Sequence, residues 1–454
     1  MPTHFFYYIH VTPSLNPSPR GRDFVGHKAL LKRCFALAKL EKFIGLLENK
    51  NVLCYLCRHK IIGMDDAFIF DSHVSGKHFI GREQDCNSLV NLISAHENVC
   101  IYDAPKTGKT SLIRRALTTL VTSGHSVSVP EMDMIGFRRK EEFLSSFVSA
   151  ILSKTVSSPY EYKSIIAEFL PDSVISFDEQ AYENTGEGIV CREGVTDEDI
   201  EKVLHFPYVL SKSRNTEICF VIDEFQNILE LPDAERILHQ METISSSLRS
   251  DSRFCYIFCG SGINAMHWIF GYRKFFFRNI VHLPLGTISE QDVIAHIVGG
   301  FRPSGKVIEK ELIHRPYQIF RGNMWYINMM AFFCGARAIG YINNRIITDA
   351  IESVISVNVP RFRRIVDSLT VYQLSFLKAV LRGETRFSTA EVIERYSLNS
   401  SANVKRVKDA LMKKEILTFS DKDEAQVIDP LFEYWFRRDV LKDNISLEGT
   451  QEKF

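Results

Sequence analysis

The chain has 454 residues, equal numbers of basic and acidic side chains (55 Lys and Arg, 55 Asp and Glu) and 45% hydrophobic content. That length carries two to three domains, and the charge balance excludes a globally basic nucleic-acid binder, so any DNA contact must come from a local patch. No apolar run reaches membrane-spanning length and no clear signal peptide is present, which predicts a cytoplasmic chain with no membrane partner. Ten cysteines are scattered through the sequence, and Cys100, Cys219, Cys255 and Cys259 fall in apolar runs. They read as core thiols of a reducing compartment rather than a disulfide framework.

Residues 1–63 fit poorly with the remainder. They are turn-rich, lack a hydrophobic period, and hold ten Lys and Arg against three Asp and Glu. Met64 opens a segment leading straight into the next motif, so it is expected to be the natural start. Cys54-x-x-Cys57 with His59 has a metal-like look, but no second ligand pair at zinc spacing follows. From residue 74 to about 284, strand patterns alternate with helical ones, as in a parallel sheet covered on both faces.

The most informative stretch is 99–117, VCIYDAPKTGKTSLIRRAL. An apolar strand delivers a tight loop ending Gly108-Lys109-Thr110, and an amphipathic helix follows. Such a loop points backbone N–H groups inward while the helix offers its N-terminus to anionic oxygens, which is what a nucleotide phosphate cradle requires. The cradle would run Asp103, Ala104, Pro105, Lys106, Thr107, Gly108, Lys109, Thr110 and Ser111. Lys109 would supply charge to the β/γ-phosphates, and Thr110 a hydroxyl for Mg²⁺. Asp103 stands where the pattern has glycine. Asp tolerates turn conformations, but its carboxylate must point away from the phosphates.

Residues 127–134 read as the second strand and 140–152 as a helix. Residues 171–215, glycine-containing and acidic, read as an irregular insertion or surface segment. The unbroken apolar run 218–222 then suits a central strand, and Asp223-Glu224 sit at its C-terminal end, where open α/β sheets place ligands. Asp223 would bind Mg²⁺ and Glu224 would polarise the attacking water. A third strand, 254–259, ends in Gly260-Ser261. Ser261 could reach the γ-phosphate, or it could cap the helix expected over 263–270.

Residues 288–359 are helical in texture. Beyond them, helices are predicted over 371–381, 388–396 with Ser388 as N-cap, and 401–414. Apolar segments at 416–419 and 426–428 flank a turn at 420–424, completing a winged-helix pattern. Asn403, Lys405, Arg406 and Lys408 on the third helix could contact DNA, or the domain could dock on protein instead. The expected domains are therefore a 1–63 extension, a 64–287 core, a 288–360 helical lid, a 361–441 winged helix and a 442–454 tail.

In this order FIGREQD (79–85), GKTSL, VIDEFQ, FCGSG, RGNMWYINMMA (321–331) and the D-P-x-F-x-x-W string at 429–435 resemble the archaeal/bacterial AAA+-like ATPases, grouped with the signal-transduction ATPases with numerous domains. The resemblance covers roughly 64–441. It implies an α/β P-loop core, a helical lid, a C-terminal winged helix, ATP rather than GTP, and Mg²⁺. It also implies that Gly81-Arg82-Glu83 lie beside the adenine, although Arg82 could equally be a surface ion pair. Gly322 would open the lid helix, where relatives often carry a sensing arginine that 324–335 lacks. Arg278 matches a position where the family carries an arginine, serving either as a finger toward a neighbouring subunit or as a structural salt bridge. The expected activity is Mg-dependent ATP binding and hydrolysis driving a molecular switch, with a protein partner or self-association. The alternatives are an ATP-dependent DNA-binding regulator or loader, and a non-catalytic nucleotide-dependent scaffold.

Overall fold

Two seven-residue apolar strands, Glu217–Asp223 and Phe254–Gly260, form the centre of the molecule. The structure is a computed structural model and describes residues 67–443 apart from 157, 187 and 249–252, all within the unit His59–Phe454. Met64 and the Cys54, Cys57 and His59 cluster lie outside the described residues.

In chain order the strands of the core are β1 (Val99–Tyr102), β2 (Val127–Ser128), β3 (Glu131–Asp133), β4 (Ile175–Phe177), β5 (Ile189–Cys191), β6 (Glu217–Asp223), β7 (Phe254–Gly260) and β8 (Val281–His282). The main sheet is parallel and runs β2–β6–β7–β1–β8, with β3 also pairing β6. The second strand, expected as one run over 127–134, is split in two. Pro130 lies in the break, has no N–H to give the ladder, and keeps contact only by accepting from the Val221 amide.

Alternation along β6 and β7 makes the two sheet faces unlike. Phe220, Tyr256 and Phe258 point to a thick aromatic face with the helix Lys140–Thr155. Cys219, Val221, Cys255, Ile257 and Cys259 make a thin face on which Leu112, Ile113 and Ala116 of the P-loop helix, Lys109–Thr122, pack closely. The cysteines are free buried thiols.

Residues 171–215 are more ordered than their composition suggests. They hold the β4–β5 hairpin and a 17-residue helix, Asp197–Ser213, whose Ile200, Val203, Leu204 and Leu210 are buried in the aromatic face. A reciprocal cap between Thr196 and Asp199 starts that helix, and Pro207 lies inside it. The glycines and acids ahead of it disguised a regular element, although an acidic first turn is itself a helix-start signal.

The lid comprises the helices Glu290–Phe301, His314–Phe320 and Met324–Arg337 and a short parallel pair, β9 (Val307–Ile308) and β10 (Tyr341–Ile342). One 24-residue helix, Asn344–Asp367, runs through the expected lid–winged-helix junction. The winged helix follows with helices Val371–Leu381, Ala390–Arg395 and Ser401–Lys413, then an antiparallel wing of β11 (Leu417–Phe419) and β12 (Ala425–Val427). Its second helix is capped by Thr389, one residue beyond the expected Ser388. Asp429 caps the closing helix Pro430–Trp435 and also accepts from the Tyr326 hydroxyl of the lid at 2.9 Å and from Arg361 Nη2 at 2.6 Å. Among the described residues no helix is long and apolar enough to cross a membrane.

Candidate functional site

β1 ends at Tyr102, and the loop that follows is tied to β7 by the Asp103 amide, which donates to the Gly260 carbonyl at 3.4 Å. The loop turns through left-handed backbone at Lys106 (φ +68°) and Gly108 (φ +94°), and a Cβ at Gly108 would meet nothing within 4 Å. Space is therefore open above the loop, as an anion cradle needs. The Asp103 carboxylate is turned back onto the Ala104 amide at 2.7 Å, and neither residue lines the cavity below. The charge that looked hostile to phosphate is thus spent on the loop itself.

Lys109 Nζ donates to the Asp103 and Ala104 carbonyls, both at 2.8 Å. Burial lowers the Lys109 amine from its ordinary range, while Cys259 and the acids Asp103, Glu224 and Asp223 pull it back. Arg82 is buried rather than a surface ion pair. Its Nη2 donates to the Thr107 carbonyl at 3.2 Å and its Nη1 faces Asp85 at 3.4 Å, so it braces the loop from beneath. Desolvation lowers the Arg82 guanidinium despite Asp85 and Asp103 nearby.

Across the sheet, Asp223 accepts from the Glu224 amide at 2.9 Å. Glu224 itself is in left-handed backbone (φ +49°, ψ +41°), a conformation that costs an L-residue of this kind about 1–2 kcal/mol. Its Oε2 accepts from the Ser261 hydroxyl at 2.6 Å, the Ser261 amide at 3.3 Å and Gln226 Nε2 at 2.5 Å. Ser261 does not cap the next helix; Gly262 occupies the cap position, and the α-helix Ile263–His267 continues directly as a π-helix, Trp268–Tyr272, so the expected stretch 263–270 is helical throughout.

A cavity of about 380 Å³ brings these parts together. Pro105 to Ser111, Arg82, Asp223, Glu224 and Ser261 line it from the core, and Met324, Trp325 and Asn328 line it from the lid. His78, Phe79, Ile80 and Ile288 line it as well, and so does the segment 69–74, which sequence reasoning did not single out. That segment is pinned by Asn328 Nδ2 donating to the Ile69 carbonyl at 2.8 Å and by the Val74 amide donating to Ser111 Oγ at 3.1 Å. Asn328 is held in turn by His296 at 2.8 Å. The Lys106 amine stands 5.9 Å from the Trp325 ring, joining loop to lid. A polar residue amid the apolar lid stretch, Asn328, was the available signal.

Other candidates lie elsewhere. Arg321 turns away from the cavity to Glu433 at 2.5 Å and the Val427 carbonyl at 3.3 Å. Arg278 is exposed, 5.3 Å from the ring of its neighbour Phe277, with no carboxylate paired to it among the described residues. Among the described residues it makes no structural salt bridge. On the third winged-helix helix, Asn403 Nδ2 is spent on the Leu398 carbonyl at 3.0 Å, and Lys408 pairs with Asp423 of the wing while lying 3.9 Å from the Phe419 ring. Lys405 and Arg406 remain exposed, without a charged partner among the described residues.

A parallel sheet with a phosphate-type loop, a helical lid and a terminal winged helix is the AAA+-like P-loop ATPase fold. The chain is similar to a Walker-type ATPase of Pyrococcus abyssi, with TM-score 0.56 and 14% identity over 82% of this chain and 99% of that one. It is also similar to the ORC2 protein of Aeropyrum pernix in its ADPNP–ADP complexes, with TM-score 0.52 and 12% identity over 81% of this chain and 95% of that one. Residues 360–438 match the family described as "Probable winged helix domain". No curated protein matches the sequence.

Proposed function

We propose that the chain is a Mg²⁺-dependent ATPase that uses ATP binding and hydrolysis to switch the relation of core, lid and winged helix. The observation that carries this is one cavity faced by the Lys109 loop, by Asp223-Glu224 and by the lid. The residues present fit both groups. The open arc of Pro105 to Thr110 presents backbone to an anion, and the Thr110 hydroxyl and Asp223 carboxylate are the hard oxygen donors Mg²⁺ takes beside phosphate oxygens. Among the described residues no cluster of three or more His, Cys, Asp and Glu could hold a metal by itself. When bound, Mg²⁺ supplies charge neutralisation to the phosphates.

The chain's own part follows. Lys109 exchanges its two loop carbonyls for phosphate oxygens, and Glu224 orients water in line with the γ-phosphate. The apolar wall around Phe79, Ile80 and Ile288 takes the base, and Arg82 keeps the loop shaped through Thr107. Closure then brings Trp325 and Asn328 over the nucleotide, which gives the switch its moving part.

The test is paired. Lys109→Ala should abolish binding of a fluorescent ATP analogue, whereas Glu224→Gln should keep binding and lower kcat by at least ten-fold. Unimpaired turnover in both variants overturns the assignment. Tight binding by the unaltered chain without any turnover selects the non-catalytic scaffold instead. The second reading, a DNA-binding regulator or loader, is favoured by exposed Lys405 and Arg406 on the third winged-helix helix.

A further inference from the structure

Residues 272–278, YRKFFFR, carry the chain from the π-helix Trp268–Tyr272 toward β8 and contribute nothing to the lining of the nucleotide cavity. Phe275 and Phe276 are buried in the aromatic face of the core, whereas Phe277, the next residue, is 60% exposed. A cation stands on either side of that ring. The Arg278 guanidinium lies 5.3 Å from its centre and the Lys274 amine 5.8 Å. Among the described residues neither cation is paired with a carboxylate. Tyr272, also exposed, opens the same turn.

The turn is held in this arrangement from within. Lys274, Phe276 and Arg278 all take left-handed backbone, at φ +56°, +62° and +62°. That conformation is unfavourable for residues with a Cβ and persists only where the surroundings over-determine it. Here the two buried rings and the buried Asn279 do so. The Asn279 amide donates to the Phe276 carbonyl at 2.8 Å, and its Nδ2 donates to Ser245 Oγ at 2.9 Å. The Phe277 amide donates to the Lys274 carbonyl and to Glu242 Oε1, both at 3.1 Å. Glu242 is thereby committed to the backbone of the turn, and Glu235 to Arg273. Phe277 is thus fixed outward between two cations that no acid of the turn's surroundings answers among the described residues.

The chemistry of the occupant follows from that combination. An apolar partner would strip water from two unpaired cations and return nothing for it. A nucleic-acid duplex would answer the cations, but its base faces are stacked on one another and closed to the ring. A single strand offers both groups at once, a free base face and a phosphate on either side of it. We infer that Lys274, Phe277 and Arg278 form a binding site for single-stranded nucleic acid, in which one base stacks on Phe277 and the two cations hold the flanking phosphates. Base faces and phosphates are common to DNA and RNA, so the site is blind to the sugar. It lies apart from Lys405 and Arg406 of the winged helix, goes beyond the ATPase reading and does not rest on it.

The experiment uses the full chain without ATP and fluorescein-labelled oligo-dT and oligo-rU of about 12 nucleotides, with binding read by anisotropy across a salt series. Wild type is compared with Phe277→Ala, Phe277→Trp, Lys274→Gln and Arg278→Gln, and with Tyr160→Ala, which removes an exposed ring elsewhere on the core. Phe277→Ala should weaken both oligomers about five-fold or more with the salt slope unaltered, and Phe277→Trp should restore wild-type affinity. Lys274→Gln and Arg278→Gln should each flatten the slope of log affinity against log salt by about 0.7. The two oligomers should bind wild type within about three-fold of each other, and a larger difference overturns the sugar-blind site. Failure of wild type to bind either oligomer overturns the inference, as does wild-type affinity in Phe277→Ala or an equal loss in Tyr160→Ala. Sedimentation velocity of the free proteins is the second readout. A coefficient that falls in Phe277→Ala also overturns the inference, because the turn is then an interface between copies of the chain. With ATP absent throughout, failure here is distinguishable from failure of the ATPase reading.

Discussion

Asp429 is where three parts of the molecule meet, so its replacement should cost more than a helix cap. In Asp429→Ala the amides of Leu431 and Phe432 lose the carboxylate that caps Pro430–Trp435, a loss of about 1 kcal/mol. The buried Tyr326 hydroxyl loses both carboxylate oxygens, each at 2.9 Å, and keeps only Arg361 Nη2 at 2.8 Å, which adds about 1 kcal/mol. The Arg361–Asp429 ion pair contributes little beyond this, at most about 0.5 kcal/mol, because the arginine side chain is 43% exposed and water screens it. The expected destabilisation is about 2–2.5 kcal/mol. Asp429→Asn retains a good cap and one acceptor and should lose about 1 kcal/mol or less. Urea unfolding of the full chain followed by tryptophan fluorescence reads this, since Trp435 ends the capped helix. A double-mutant cycle with Tyr326→Phe should return about 1 kcal/mol of coupling. Equal losses for the alanine and asparagine variants, or strict additivity in the cycle, would refute the account of Asp429 as a bridge between lid and winged helix.

His296 should make the lid acid-sensitive. Burial lowers its imidazole below the usual 6.5, so the native state keeps it neutral while the unfolded chain takes up a proton near 6.5. Its contribution is then fully present above that pH and is lost as pH falls toward the native value; thermal unfolding between pH 7.5 and 5.5 should show a steeper decline for wild type than for His296→Gln. Gly81→Ala should cost about 2–4 kcal/mol, because φ is +67° and the new Cβ would lie 2.7 Å from Ile288 Cγ2. The same variant should raise KM for ATP, and an unchanged melting temperature and KM would remove Gly81 from the site. In a salt series of gel-shifts, Lys405→Ala and Arg406→Ala should each reduce the slope of log affinity against log salt by about 1, while Lys408→Ala, already paired with Asp423, should leave it unaltered. Equal effects from all three would mean that the Asp423 pair opens on DNA.

What could be read in advance was whatever a short stretch of chain decides for itself. The run Ile218 to Ile222 needs no partner to declare a strand buried on both faces, and Gly108-Lys109-Thr110 declares a loop and a helix start within ten residues of β1. The wing was equally local, with the turn closed by Ser420 and Asp423 between β11 and β12. Asp197–Ser213 was hidden because Gly186, Gly188 and Gly194 and the many acids around it read as a loop, while its buried Ile200, Val203, Leu204 and Leu210 show their helical spacing only once packed.

The remaining features belong to no local pattern. Asn328 matters through Ile69, 259 residues away, and Glu415 matters through Asn264, 151 residues away. Neither residue type is diagnostic alone, because an asparagine in a lid helix and a glutamate after a helix are ordinary surface choices. Their meaning comes from burial: once desolvated, each polar group must find a partner, and the partner it finds defines which domains move together. The proposed phosphate cradle is thus written in contiguous residues, whereas the contacts that join core, lid and winged helix are a few enclosed polar ones between segments far apart in the chain.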